Sequence, residues 1–146
     1  MILLADPDPK SRAELHLLLE TAGHEVVAVA TGTEAAAVLM ERTPRLIILD
    51  LDLKWMTGRQ LIEVLHRNHH TAHIPIIALV AVDEDTMAGV PTLVRPVASH
   101  DLIDCAERLL SHNGHRPSCD GRRQAPRATC HAFSRRSLRY AQRTPR

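Results

Sequence analysis

Short aliphatic runs alternate with amphipathic segments along the first 110 residues of the chain. Five of these runs predict β-strands, because they are rich in Leu, Ile and Val and are bounded by charged or turn-forming residues. The predicted strands are residues 2–5, 26–30, 46–49, 74–81 and 92–96.

Helix-start signals follow four of these strands. An acid before proline is typical of a helix N-terminus, and a threonine followed three residues later by Glu or Gln is typical of a capping box. The signals are Asp8 with Pro9, Thr31 with Glu34, Thr57 with Gln60, and Ser99 with Asp101. Strands that alternate with helices and lack strict polar alternation predict an α/β fold, with a parallel sheet covered on both faces.

Charge divides the chain into two segments. Residues 1–110 carry nine Lys and Arg against sixteen Asp and Glu, a net charge of −7, whereas residues 111–146 carry nine Arg against one Asp, a net charge of +8. The second segment also lacks apolar periodicity. We therefore expect one folded domain, residues 1–110, followed by a disordered Arg-rich tail that could contact nucleic acid.

The composition argues against a membrane or secreted protein. No apolar run approaches the roughly 20 residues that a membrane span needs, and the start of the chain has no basic segment typical of a signal peptide. The three cysteines form no Cys-x-x-Cys pair and leave an odd thiol. We expect a cytoplasmic protein with no disulfide framework.

Charged residues follow several of the predicted strands. Asp6, Asp50 and Arg95 stand at strand ends, as does the apolar Val80. Because ligands of parallel sheets bind at the carboxyl ends of the strands, we expect the charged groups to share one crevice. Two carboxylates there suit Mg²⁺, and a carboxylate beside such a metal can act as a nucleophile toward phosphorus.

Over residues 2–110 the chain resembles the receiver domain of two-component response regulators. In that family an acidic pair ends the first strand, the phospho-accepting aspartate ends the third, Ser or Thr precedes Ala at the end of the fourth, and Lys-Pro ends the fifth. The corresponding residues are Asp6-Pro7, Asp50, Val80-Ala81 and Arg95-Pro96, and "LIILDLDLKWMTG" has the expected sequence of strand, acceptor, loop and glycine.

The resemblance implies a flavodoxin-like (βα)5 fold, a doubly wound five-stranded parallel sheet. It further implies that Asp50 is the phosphoryl acceptor. Asp6 and Asp50 would ligate Mg²⁺ together with the backbone carbonyl of Asp52. The implied partners are a sensor histidine kinase or phosphotransfer protein and a separate downstream protein, and a homodimer is compatible with the family. We expect a signalling module rather than an enzyme.

Several residues depart from the family pattern. Pro7 replaces the second acid, so Mg²⁺ affinity should be weakened or lost, and Asp8 is expected to cap the first helix rather than to compensate. Val80 replaces the hydroxyl that would bond the phosphoryl group. Arg95 keeps a cation in place of Lys, although the two are not interchangeable at a phosphate. Thr92 stands where the family has its switching aromatic.

The connection between the fourth and fifth strands is also short. Residues 82–91 leave too little chain for the usual fourth helix and its loops, so we expect that helix to be shortened. Together these departures leave a second interpretation open, a pseudo-receiver that acts through protein contacts without phosphorylation. A third interpretation is a haloacid-dehalogenase-type phosphatase, since "LADPD" and "LDLD" both contain Asp-x-Asp after a strand, but Val80 stands where that family needs Ser or Thr.

Two other features of the domain have plain structural interpretations. We expect Trp55 to fold back over Met56 and the third helix, with an exposed partner-binding indole as the alternative. The histidines of "HRNHHTAH" would share one metal-binding face only if the helix continued through them. Asn68 and Pro75 favour a solvated connector instead.

Overall fold

The structure is a computed structural model that describes residues 1–81 and 89–112. These residues form five strands and four helices, which alternate except that no helix is described between the fourth and fifth strands. The strands are β1 Ile2–Ala5, β2 Val26–Val29, β3 Leu46–Asp50, β4 Ile76–Val80 and β5 Thr92–Val94. The helices are α1 Pro9–Thr21, α2 Gly32–Glu41, α3 Gly58–Arg67 and α4 Ser99–His112.

The five strands form one parallel sheet in the order β2-β1-β3-β4-β5. The order changes direction between β1 and β3, which is the switch point of a doubly wound sheet, where ligands bind. The predicted flavodoxin-like arrangement of the sheet is confirmed. All five carboxyl ends lie at one edge, with β1 and β3 next to each other at the switch point.

The three central strands, β1, β3 and β4, are buried on both faces, which explains why they are aliphatic, whereas the edge strands β2 and β5 are only partly buried. Along β1, Ile2 and Leu4 face the core that α1 and α4 complete, whereas Leu3 and Ala5 face the core that α2 and α3 complete. The strands β3 and β4 divide in the same way. Successive side chains of a strand point to opposite faces, so a strand between two helical layers is apolar at nearly every position.

The observed helix starts match the predicted signals. Asp8 caps α1 by accepting hydrogen bonds from the backbone of Lys10 and Ser11, and Thr57 with Gln60 forms a full capping box on α3. Thr31 caps α2 through the Glu34 amide. The Glu34 carboxylate, however, accepts from the amide of Ala30, one residue before the cap.

Strand ends differ slightly from the prediction. The fourth strand is shorter at both ends than predicted, Ile76–Val80 against residues 74–81, and the fifth ends at Val94 rather than at residue 96. Pro75 and Pro96 lack the amide hydrogen that a parallel ladder needs, which explains why pairing stops beside them. The Arg95-Pro96 peptide bond is cis.

Two predicted segments lie outside the described residues. The shortened fourth helix would fall largely within residues 82–88, and the Arg-rich tail falls almost wholly within residues 113–146. Both therefore stay predictions. Within the described parts of the chain, every helix is too short or too polar to cross a membrane.

Candidate functional site

Three charged residues meet at the carboxyl edge of the sheet. Asp6 follows β1 and donates its amide hydrogen to the Val29 carbonyl, Asp50 is the last residue of β3, and Arg95 follows β5. The Arg95 amide donates to the carbonyl of Val80, 2.9 Å away, which places Arg95 at the end of β4 as well. The structure thus brings Asp6, Asp50 and Arg95 into one crevice.

The Arg95 guanidinium bridges both carboxylates. Its Nε and Nη2 atoms donate to Asp50 Oδ2 over 3.1 and 2.7 Å. The same Nη2 donates to Asp6 Oδ2 over 2.6 Å, and Nη1 donates to Ser11 Oγ over 2.6 Å. One side chain therefore holds two acids and a hydroxyl at the same time.

Asp6 is fully buried and fully hydrogen-bonded. Oδ1 accepts from the Asp8 amide at 2.9 Å, and Oδ2 accepts from Ser11 Oγ at 2.7 Å as well as from Arg95. A buried carboxylate is stable only when such donors replace its lost water. The turn into α1 supplies two of the donors and β5 supplies the cation.

Asp50 keeps some contact with solvent, because 11% of its side chain is exposed. Its Oδ1 accepts from the Asp52 amide at 2.7 Å, while Oδ2 is held by Arg95. The Asp52 side chain itself is exposed. Backbone bonds fix this loop at both ends, since the Leu51 amide donates to the Leu79 carbonyl and the Leu51 carbonyl accepts from the Gly58 amide.

The pKa of Arg95 is raised above its ordinary value. Burial of the guanidinium acts against its charge, but the hydrogen bonds and negative charges of Asp6 and Asp50 outweigh that effect. A base whose pKa is raised on folding adds stability below its unfolded pKa and loses it only as the pH rises through the folded value. Arg95 is therefore a fixed cation throughout the neutral range.

Ser11 is a site residue that the sequence did not point to. It lies on the first turn of α1, three residues after the Asp8 cap, and its hydroxyl donates to Asp6 while accepting from Arg95. Its position in the chain could have indicated this role. Ser11 lies on the first turn of a helix that begins just after β1, and such a residue lies close to the carboxyl edge of the sheet. The side chain of Arg12, next in the chain, donates to the backbone carbonyl of Asp6 over 2.7 Å and not to its carboxylate.

A Mg²⁺ ion does not fit this arrangement of side chains. Both Asp6 oxygens already have donors, Arg95 lies between the two carboxylates, and Pro7 supplies no third acid. Over the described residues, acids, histidines and cysteines form no cluster of three or more that could hold a metal. The guanidinium is in the place where a cation would otherwise contact both acids.

Val80 lies at the carboxyl end of β4 in register with Val94. Its side chain is 1% exposed and belongs to the aliphatic core on the α2 and α3 face. No hydroxyl exists there to follow a phosphoryl group. Val80 is therefore packed as a core residue, and the loss of a hydrogen bond to a phosphoryl group stays a prediction.

The expectation for Trp55 was wrong. Its side chain is 87% exposed, and its backbone adopts a positive φ of 69°. The indole therefore projects from the loop after Asp50 rather than folding back over α3. The helix end within the histidine run was predicted correctly, because α3 ends at Arg67 with Asn68 as its C-cap.

A family model described as the response regulator receiver domain matches residues 2–91, which is more than half of the chain. This chain belongs to the response regulator receiver family. The resemblance drawn from the sequence is confirmed, and solved receiver domains share the fold.

Curated relatives of this receiver include transcriptional regulators and a shorter protein. It is 32% identical to the transcriptional regulatory protein AfsQ1 of Streptomyces coelicolor, a match that covers 82% of this chain and 54% of AfsQ1. It is 27% identical to protein PilH of Pseudomonas aeruginosa, covering 75% of this chain and 97% of PilH. The chain thus spans about half the length of the transcriptional regulator.

Solved receiver structures are similar to the described fold. The receiver domain of a signal transduction histidine kinase from Syntrophus aciditrophicus matches with a TM-score of 0.72 and 26% identity, covering 85% of this chain and 97% of that one. The receiver domain of NtrX from Brucella abortus matches with a TM-score of 0.71 and 25% identity, covering 77% and 99%.

Proposed function

We propose that this receiver accepts a phosphoryl group on Asp50 from a sensor histidine kinase or a phosphotransfer protein. The observation that carries the proposal is the position of the Asp50 carboxylate. It stands at the carboxyl end of β3, beside the switch point of the sheet, and is partly open to solvent. Family membership supplies the reaction class.

The residues of the crevice suit the transfer step. An Asp50 oxygen would form a bond to phosphorus while the bond from phosphorus to the donor imidazole nitrogen breaks, and the imidazole would leave with the bonding electron pair. The Asp52 amide and the Arg95 guanidinium are hydrogen-bond donors directed at this carboxylate. A cation at that position would stabilise the negative charge of the incoming phosphoryl oxygens.

A cleft of about 430 Å³ lies next to Arg95, between α1 and the segment that follows β5. Ser11, Glu14 and Arg95 line it together with apolar side chains, whereas Asp6 and Asp50 do not. The Arg95 side chain is 27% exposed. The cleft would therefore let a donor reach the guanidinium without unfolding of the sheet.

The metal requirement is part of the proposal. Receiver domains generally bind Mg²⁺ at an acidic pocket, and here we propose weak binding, because Pro7 removes one acidic ligand. A downstream protein partner, a homodimer, a nucleic-acid contact through the tail and a cytoplasmic location stay predictions.

Intact-mass measurement after incubation with acetyl phosphate tests the assignment. We expect the wild-type protein to gain the mass of one phosphoryl group and Asp50→Asn to gain none, because an amide is not a nucleophile toward phosphorus. Asp104→Asn, on α4, is the matched control and should be modified like the wild type, since its side chain is exposed and makes none of the contacts of the crevice. A wild-type protein that gains no mass, with or without Mg²⁺, would end the phosphotransfer proposal.

The pseudo-receiver is the second candidate. Arg95 holds Asp50 Oδ2 with two donors, and Val80 offers no hydroxyl, so the site could be a structural ion network. The same mass measurement separates the candidates. The phosphatase interpretation is less favoured, because the family match is to receivers. Hydrolysis of a generic phosphate monoester by this protein would support the phosphatase interpretation.

A further inference from the structure

The crevice of this receiver contains its own cation. We propose that the Arg95 guanidinium, positioned by Ser11, takes the place of the divalent metal between Asp6 and Asp50. Divalent cations then bind the resting protein weakly because they must first displace an arginine. The consequence for phosphotransfer, that it proceeds without added metal, rests on the function proposed above.

The hydrogen-bond geometry supports this replacement. A metal between the two acids would need an oxygen from each, and Oδ2 of Asp6 and Oδ2 of Asp50 both accept from the same Nη2 atom, at 2.6 and 2.7 Å. That nitrogen is therefore a hydrogen-bond donor to both carboxylates. A cation placed at the same point would collide with it.

Arginine can fill this position where lysine could not. The planar guanidinium has three nitrogens and five N–H donors in fixed directions, whereas an ammonium is a single point charge. Here all three nitrogens are used, with Nε and Nη2 on Asp50, Nη2 on Asp6 and Nη1 on Ser11. The observed contacts need the forked shape.

Charge balance points the same way. The crevice holds two carboxylates and one guanidinium, and Pro7 stands where a further acid would be needed to attract a divalent ion. A divalent cation added beside Arg95 would give three positive charges against two negative ones. Repulsion at such short distances is strong in a site where one acid is fully buried.

Ser11 acts here as a positioning residue. Its hydroxyl donates its hydrogen to Asp6 Oδ2 at 2.7 Å and uses its lone pair to accept from Arg95 Nη1 at 2.6 Å. It thereby orients the guanidinium toward the acids from the side opposite Asp50. Loss of this hydroxyl should loosen Arg95 without removing its charge.

Thermal unfolding in the presence of Mg²⁺ tests the replacement. A ligand that binds only the folded state raises the unfolding midpoint as its concentration exceeds the dissociation constant. The full chain is measured by circular dichroism over a MgCl2 series, with KCl added to hold ionic strength constant. We expect a saturable rise for Arg95→Gln at Mg²⁺ concentrations at least about tenfold lower than those that give any rise in the wild type.

Arg12→Gln is the matched control. It removes one positive charge beside the same crevice, but the Arg12 side chain donates to the backbone carbonyl of Asp6 rather than to either carboxylate. It should behave like the wild type toward Mg²⁺. A saturable rise in the wild type equal to that of Arg95→Gln would overturn the proposal, as would the lack of any rise in Arg95→Gln.

Further variants provide a substitute if Arg95→Gln does not fold and test the role of Ser11. If Arg95→Gln does not fold, Arg95→Lys keeps the charge but not the fork, and we expect it to gain Mg²⁺ binding as well. Ser11→Ala should gain weaker Mg²⁺ binding, and Ser11→Thr, which restores a hydroxyl, should return to wild-type behaviour. A Ser11→Ala protein with no change in Mg²⁺ affinity would remove the positioning role.

The acetyl phosphate reaction in EDTA separates this inference from the proposed function. Equal mass gain in EDTA and in Mg²⁺ supports the replacement. A mass gain that needs Mg²⁺ overturns the replacement and keeps Asp50 as acceptor. No mass gain under either condition rejects the phosphotransfer proposal, whereas the Mg²⁺ titration still decides the identity of the cation.

Discussion

Arg95 illustrates how one residue type changes the chemistry of a conserved architecture. A lysine ammonium has three donors on one nitrogen, whereas the arginine uses three separate nitrogens to contact Asp6, Asp50 and Ser11 together. The pairing also explains how Asp6 can be fully buried as a carboxylate. Removal of either partner would leave a buried charge without compensation, which is costly in proteins.

A substitution at Val80 tests whether this position requires an apolar side chain for packing or accepts a hydroxyl. We expect Val80→Thr to lower the free energy of unfolding by about 1–2 kcal/mol, because a hydroxyl would be buried among aliphatic side chains of the core. Urea denaturation measures the change. The register partner Val94 is 48% exposed, so Val94→Thr should change stability by less than about 0.5 kcal/mol. Equal losses for the two variants would contradict this account.

At the scale of an element, the start of α1 links helix stability to the site. Asp8 accepts from the Lys10 and Ser11 amides with its side chain, and its own amide donates to Asp6. We expect Asp8→Ala to lower the free energy of unfolding by about 1–2 kcal/mol and Asp8→Asn to lower it much less, since Asn also caps helices. Chemical denaturation decides between them. A loss as large for Asn as for Ala would show that the charge, rather than the cap, matters.

The loop between β3 and α3 has no room for a side chain at Gly58. An added Cβ would lie 2.7 Å from the Leu51 Cα and would also meet the Asp50 carbonyl oxygen. We expect Gly58→Ala to lower the free energy of unfolding by more than about 2 kcal/mol, because backbone atoms cannot move aside. Thermal denaturation measures it.

Gly23→Ala is the comparison for Gly58→Ala. Gly23 has a φ of +89° and open space around its Cβ position, so alanine there adds backbone strain without a clash. Its cost should be about 1–2 kcal/mol. Should Gly58→Ala prove the milder of the two, the close approach to the Asp50 backbone would not be what requires glycine.

At the scale of the whole molecule, we expect the folded domain to be stable without the tail. All buried core residues of the described segments lie between Ile2 and Ala106. We expect a chain that ends at His112 to keep the unfolding midpoint and denaturant slope of the full chain within error. A large drop in either would show that residues 113–146 contribute to the fold.

The same pair of proteins tests the predicted nucleic-acid contact. Residues 111–146 carry a net charge of +8 and the rest of the chain −7, so the truncated chain should lose any DNA binding that the full chain has at low salt. An electrophoretic shift assay over a salt series measures this. Retained binding after truncation would assign it to the folded domain instead.

Local signals in the sequence determined the elements. Short aliphatic runs bounded by charged or turn-forming residues predicted all five strands, and the Asp8, Thr31 and Thr57 caps marked three helix starts, because these features depend on residues close together in the chain. They also placed Asp6, Asp50 and Arg95 at strand ends. In a parallel sheet that alone implies one shared edge.

Only the tertiary structure decided which atoms meet at that edge. Arg95 is 89 residues from Asp6, 45 from Asp50 and 84 from Ser11, and side-chain direction over such separations depends on how the strands and α1 pack. For the same reason the sequence did not reveal Ser11 as a site residue or Trp55 as an exposed one. Chain periodicity reports which face a residue is on, whereas hydrogen-bond geometry depends on the positions of groups brought together by folding.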